Sequence, residues 1–151
     1  MEITKPSFDA VDTLVSLWQD LAANQRTFNS HLLVSENERI IRETFSQRIA
    51  MGRAYVARDT DIVGFVTFTT EVGHYEQDVT RGFIENLYVV PEYQNEGVGT
   101  ALLDAAEGSL DEQGADVIAL EALAENDEAQ EFYQERGYQI QRLELEKDLR
   151  E

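Results

Sequence analysis

The sequence predicts a mixed α/β fold organised around one largely antiparallel sheet. Stretches rich in β-branched, aromatic and aliphatic residues alternate with stretches whose apolar residues recur at helical spacing, in the order β-α-α-β-β-β-α-β-α-β. Two central apolar runs are separated only by Asp59-Thr60-Asp61, a tight turn that makes antiparallel neighbours. Residues 82–110 then run strand, glycine loop and helix without interruption. At 151 residues the chain is expected to form a single domain, 1–151, long enough to bury a substantial core.

Each element has its own signal. Residues 2–5 read as a short strand closed by Pro6, and Ser7 or Asp9 is placed to cap a helix carrying Val11, Leu14, Val15, Trp18, Leu21 and Ala22 on one face. Residues 24–34 are polar and irregular and include Phe28 and His31. Ser35 and Glu38 have capping-box spacing before a second helix with Ile41, Phe45 and Ile49 inward and Gly52 as its stop. Strands follow at 53–58 and 62–70, then a polar connection, 71–81, with His74 and Tyr75. Residues 83–90 read as a buried strand ended by Pro91, which has no N–H to give to a ladder. A helix with Val98, Ala101, Leu102, Ala105 and Ala106 on one face comes next, then a strand over 117–123. Asn126 caps a short helix that Gly137 breaks, and residues 138–148 are expected to form the last strand.

Composition bounds the function. Asp and Glu number 30 against 12 Lys and Arg, a net charge of −18, which argues against nucleic acid or an anionic membrane as partner. The acids are spread over the whole length, as in proteins of salt-loving cells, so a halophilic protein is expected; an ordinary acidic protein is the alternative. Without cysteine there is no disulfide, thiolate metal site or cysteine nucleophile. His31 and His74 have no metal-ligand spacing to each other or to acids, so no metal is expected. No apolar run approaches the ~20 residues of a membrane span, and no signal-peptide pattern opens the sequence, which suggests a cytoplasmic protein.

Strand, glycine loop, helix is a phosphate-binding construction. The first turn of a helix has N–H groups without internal partners and carries about half a positive charge, and Gly97 and Gly99 let a ligand approach the backbone. A Gly-x-Gly before a helix is a weak signal by itself, since many such loops are tight turns. The P-loop is excluded because no lysine lies near. The dinucleotide fingerprint is excluded because Leu102 stands where its third glycine belongs.

The stretch Leu87-Tyr88-Val89-Val90-Pro91-Glu92-Tyr93, followed by Gln94-Asn95-Glu96-Gly97-Val98-Gly99, resembles the acetyl-CoA-binding motif of the GNAT superfamily of N-acetyltransferases, [Gln/Arg]-x-x-Gly-x-[Gly/Ala]. A second family block follows in order: Asn126, Ala129, Phe132-Tyr133 and Arg136-Gly137-Tyr138. The resemblance covers residues 52–148 well and the first fifty loosely. It implies a GNAT-like fold, with a twisted, mostly antiparallel sheet of six to seven strands flanked by about four helices. It also implies a direct, ternary-complex transfer of acetyl from acetyl-CoA to a primary amine of a small molecule or protein.

The same resemblance implies the site. Backbone groups of Leu87, Tyr88 and Val89 would hold the pantetheine arm, with the Val89 N–H polarising the thioester carbonyl. The pyrophosphate would lie on the amides of Gln94, Asn95, Glu96, Gly97, Val98, Gly99 and Thr100, and Asn126 would be both helix cap and cofactor contact. Glu85, two positions before Leu87 and therefore expected on its face, is the candidate general base, with Glu121 and the acids of 71–78 as rivals; a solvated acid is the plainer reading. Tyr133 is the candidate general acid for the departing thiolate, against simple packing beside Phe132. His31, His74 and Phe28 are candidates to line the acceptor groove, and Trp18 is expected in the core. Unlike many relatives, the loop carries no cation, so acetyl-CoA binding is expected to strengthen as KCl rises and screening improves. Loops 24–35 and 71–81 would set the acceptor, a cationic amine by bulk charge, and a homodimer is possible within the family. The alternative is a non-catalytic acyl-CoA-binding sensor on the same fold.

Overall fold

The computed structural model describes residues 1–71, 73 and 75–150. In chain order the elements are β1 (Glu2–Thr4), α1 (Val11–Arg26), α2 (Glu38–Ala50), β2 (Ala54–Asp59), β3 (Asp61–Thr70), β4 (Arg81–Val89), α3 (Val98–Glu112), β5 (Val117–Leu120) and α4 (Asp127–Glu135). Among the described residues they form a five-stranded sheet in sequence order, β1-β2-β3-β4-β5. Every neighbouring pair is antiparallel except β4–β5, which is parallel and is joined through α3. This is the α/β architecture expected, with one strand fewer than the lowest count.

Both faces of the sheet are covered. On one side α3 lays Leu102, Leu103, Ala106 and Leu110, none of them accessible to solvent, over Val66, Phe68 and Ile84. Burying a leucine this completely contributes ~1.5–3 kcal/mol. Gly82 is required here, because a Cβ would come within 2.8 Å of Leu110. On the other side Leu14, Val15 and Trp18 of α1 and Phe45 of α2 pack on Val56 and Phe65, with the Phe45 and Phe65 rings edge-on at 5.5 Å. The apolar stripe of α1 and the core position of Trp18 are as expected.

The expected helix starts fail. Ser7 bonds Asp9 instead of a helix N–H, and Ser35 donates to Glu36 at 2.8 Å; single 3₁₀ turns precede α1 and α2, and neither helix has a side-chain cap. In both cases the hydroxyl turns to donate to a neighbouring carboxylate, and its oxygen accepts no helix N–H. The strand expected over 117–123 stops at Leu120. The last strand, 138–148, does not form. Residues 139–150 are exposed throughout and lie in no ladder. Their apolar positions change phase between Ile140 and Leu143, and no surface is offered to either face, so β-propensity has nothing to act on. Beyond Leu110 no described residue is buried at all.

Candidate active site

A gap opens beside β4, the fourth strand of the five. β4 pairs with β5 only from Arg81↔Val117 to Ile84↔Leu120, leaving the second half of β4 without a neighbour on that side among the described residues. The next residue, Glu85, is an extra one on β4. Opposite it the β3 register passes from Phe68↔Ile84 directly to Thr67↔Asn86, a β-bulge. The bulge resets the alternation of faces. Leu87 joins the α3-side cluster, whereas Glu85 reaches α2, where Arg48 holds both carboxylate oxygens: Nε to Oε1 at 2.7 Å and Nη2 to Oε2 at 2.8 Å. The expectation that Glu85 and Leu87 share a face is therefore incorrect, because the bulge breaks the period of two. The Arg48 guanidinium is pushed up by its hydrogen bond to Glu85, against the opposing cost of burial.

The register also aims backbone groups into the gap. Val90 donates its N–H to Val63 C=O at 2.9 Å, so its neighbour Val89 must point N–H and C=O the other way, away from β3. Leu87 has the same parity. The Gln94 side chain takes up the Val89 C=O at 3.0 Å, which leaves the N–H open to the gap. Tyr88 turns to the α1–α2 side, its phenol pushed up by burial and by Asp20 and Glu92.

Beyond the strand the chain makes a cradle. Asn95 (φ 64°) and Gly97 (φ 84°) adopt the left-handed conformation on either side of Glu96, and α3 begins at Val98 with no side-chain cap. Its first turn contains no acid. By contrast α1 has Asp12, α2 has Glu38 and α4 has Asp127 and Glu128 in that position, which offset the helix dipole. Among these four α-helices, the start without a carboxylate is thus the one at the mouth of the gap. Gly99 lies against the Phe132 ring, 3.5 Å from where a Cβ would be.

Here the structure brings to the loop a residue that the sequence reading named only within the second family block and gave no place in the site. Arg136, just past α4, donates from Nε to Thr100 Oγ1 at 3.1 Å, and its guanidinium lies 3.7 Å from the Phe132 ring centroid. The glycine loop therefore does have a cation, supplied from far along the chain. The signal was the Phe132–Arg136 spacing of four, which stacks a guanidinium on a ring.

Asn126 caps α4, accepting from Ala129 N–H at 3.1 Å. Tyr133 meets Phe132 and Tyr138 edge-on at 5.2 and 5.8 Å, and burial pushes its phenol up to about 12. Tyr138, pushed up by burial and by its 2.6 Å bond to Glu107, fixes the segment after α4 to α3. The ring of Tyr133 is thus held by packing on both sides.

The remaining candidates separate. Glu121 is exposed, one residue past the end of β5 rather than on it. Glu71 pairs with Arg81 at 2.8 Å. His31 is exposed and bonds Glu146 at 2.8 Å, Phe28 is half-buried, and His74 lies outside the described residues. Among the described residues, no three His, Cys, Asp or Glu side chains are grouped to hold a metal. A depression of about 390 Å³ between Asp9, Thr13, Arg58 and Asp61 involves none of the site residues.

Comparison with known proteins gives a consistent pattern. The model of the acetyltransferase (GNAT) family matches residues 14–138. N-alpha-acetyltransferase 30 of Schizosaccharomyces pombe is 33% identical over 86 residues, 56% of each chain. The chain spans about half the length of the curated relatives it matches. Among solved structures, a point mutant of the BH1408 protein from Bacillus halodurans aligns with a TM-score of 0.84 at 17% identity, covering 99% of both chains. Aminoglycoside N-acetyltransferase AAC(6')-Iy in complex with CoA aligns with a TM-score of 0.74 at 16% identity, over 98% of this chain and 94% of that one. These two likenesses are of fold.

Proposed function

Because this chain belongs to the acetyltransferase (GNAT) family, we propose that it transfers an acetyl group from acetyl-CoA to a primary amine of a small molecule or protein, directly within a ternary complex. The observation that carries this reading is the unpaired half of β4 leading into an uncapped, acid-free helix start. An extended pantetheine arm needs strand-edge hydrogen bonds, and a pyrophosphate needs unpaired N–H groups, in that order along one ligand. Leu87 and Val89 supply the first, residues 94–100 the second, and Arg136 adds a cation beside Thr100. Asn126 and Tyr133 border the thiol end from α4.

Val89 N–H polarises the thioester carbonyl, a fixed donor of a kind worth ~3 kcal/mol in a transition state. The acceptor amine must lose a proton, since an ordinary ammonium near pKa ~10.4 cannot attack at neutral pH. Glu85 is the carboxylate at the point where the strands part. With an Arg48 donor on each oxygen, it takes the proton through a remaining lone pair or a bridging water. Tyr133 meets the leaving sulfur. With its phenol near 12 and a thiol near ~8.5, complete proton transfer is uphill by about 5 kcal/mol. The phenol therefore acts chiefly as a hydrogen-bond donor to the sulfur.

Calorimetry with acetyl-CoA in about 2 M KCl tests the cofactor site, because the Debye length there is only a few ångströms and a −18 chain no longer repels a polyanion. Micromolar binding, followed by amine-dependent thiol release across a panel of acceptors, supports the reading; a folded protein that binds none refutes it. One observation favours the sensor alternative: both oxygens of Glu85 are already engaged. Tight binding without turnover on any amine would select it. The acidic, cysteine-free composition fits a cytoplasmic protein of a salt-rich cell, within one domain.

A further inference from the structure

The acidity of the whole chain makes a cationic amine the expected acceptor, but the face of the sheet toward α1 and α2 is charged differently. β3 alternates from Phe65, which packs toward α1 and α2, through Thr67 to Thr69, so both threonines lie on that face with Glu85. A Cβ on Gly82 would point into Leu110 of α3, so its neighbours Arg81 and Phe83 turn the same way as Glu85. At the end of this face remote from Val89 three arginines gather. Arg48 is committed to Glu85, and Arg81 is held by Glu71 at 2.8 Å. Arg53, just past α2, donates from Nη1 to Thr69 Oγ1 at 3.0 Å and has no carboxylate partner among the described residues. Acids outnumber cations 30 to 12 in this chain, so a half-buried arginine without an acid is conspicuous. Among the described residues Arg58 is the only other, and Asp9 and Asp61 line the same depression with it.

A guanidinium offers five N–H groups in a rigid fork shaped for a carboxylate. Nε and Nη2 of Arg53 make no hydrogen bond among the described residues, and no fully buried side-chain nitrogen there lacks a partner, so both remain open to solvent. The opposite end of the face is negative: the Tyr88 phenol is pushed up by burial and by Asp20 and Glu92. Acids therefore stand toward Val89, Glu85 lies between, and an unanswered cation lies beyond it. Thr69 pairs with Phe83, two residues before Glu85, a diagonal of about 7–8 Å that one small molecule can span. We propose that the acceptor is a free amino acid, its ammonium at Glu85 and its carboxylate on Arg53, which makes Arg53 the specificity-determining residue. The inference rests on the acetyl-transfer reading given above. The nitrogen bonds to the acetyl carbon as the C–S bond breaks; of the two ammonium protons lost, one leaves through Glu85 and one ends on the CoA sulfur. The carboxylate takes no part in this exchange and only anchors the molecule.

Paired probes test this on the full chain at one fixed KCl concentration: alanine and leucine, each against its own α-carboxamide, which keeps the shape and removes the negative charge. The amino acids should be acetylated with kcat/KM about tenfold to a hundredfold above that of their amides, the range of a charge-assisted contact. Arg53→Ala should raise KM for the amino acids by that factor, leave kcat and the amides unchanged, and keep the circular-dichroism spectrum. Arg53→Lys, which keeps the charge without the fork, should retain part of the preference. Amides transferred as fast as amino acids, or a preference that survives Arg53→Ala, would overturn the proposal. Calorimetry of the same probes on the CoA complex separates it from the transfer reading. Tighter binding of the amino acid that disappears in Arg53→Ala upholds the carboxylate site even where no amine is acetylated; equal binding of acid and amide overturns it.

Discussion

Arg136 shows how single side chains escape a linear reading. It lies far from the glycine loop in sequence, and only the return of α4 onto α3 brings it to Thr100. A charge-assisted contact to a phosphate is worth ~1.5–3 kcal/mol, so Arg136→Ala should weaken acetyl-CoA binding about tenfold to a hundredfold by calorimetry at fixed salt, with little change in melting temperature. Glu85 shows the opposite failure. Its place on the strand was legible, but its direction was not, because a bulge is a two-strand property and one strand's sequence does not display it. Tyr133 gives a prediction in pH. Its phenol is raised from the ordinary 10 to about 12 by burial, so its contribution to stability is whole below pH 10 and is lost as pH climbs to about 12. The linked stability is up to about 2.7 kcal/mol. Tyr133→Phe should flatten that part of the alkaline unfolding curve followed by fluorescence.

At the scale of elements, periodicity was informative and termini were not. The stripe of α1, the extent of α3 and the β2–β3 turn were all readable, since each rests on local spacing that core burial rewards. The caps at Ser7 and Ser35 were misread because a single 3₁₀ turn intervenes before each helix and the two hydroxyls point to adjacent acids. The sixth strand was misread because its alternation has no surface to answer it. Within and just before α3, two glycines should respond in opposite ways. Gly97→Ala forces a Cβ into a left-handed conformation and should cost ~1–2 kcal/mol. Gly108→Ala, in the helix interior with nothing within 4 Å of the new methyl, should add ~0.5–1 kcal/mol. Urea unfolding of the two variants measures both.

Across the whole molecule the decisive quantity is charge. With −18 on one chain, self-repulsion opposes compaction, and both melting temperature and acetyl-CoA affinity should rise as KCl goes from tenths molar to molar. Steady weakening of binding over that titration would contradict this. The family and the sheet were legible because motif spacing and strand order are properties of the line of residues, whereas the gap, the Arg48 latch on Glu85 and the Arg136 cation are properties of its folding. One position now sets two demands against each other. Thr100 is in the one α-helical first turn without an acid among the described residues. Thr100→Glu would strengthen the helix by ~0.3–1 kcal/mol through the dipole, yet would claim Arg136 and turn a phosphate away. The protein would grow sturdier as it lost its ligand, so selection for a robust fold alone would drift toward silencing the site.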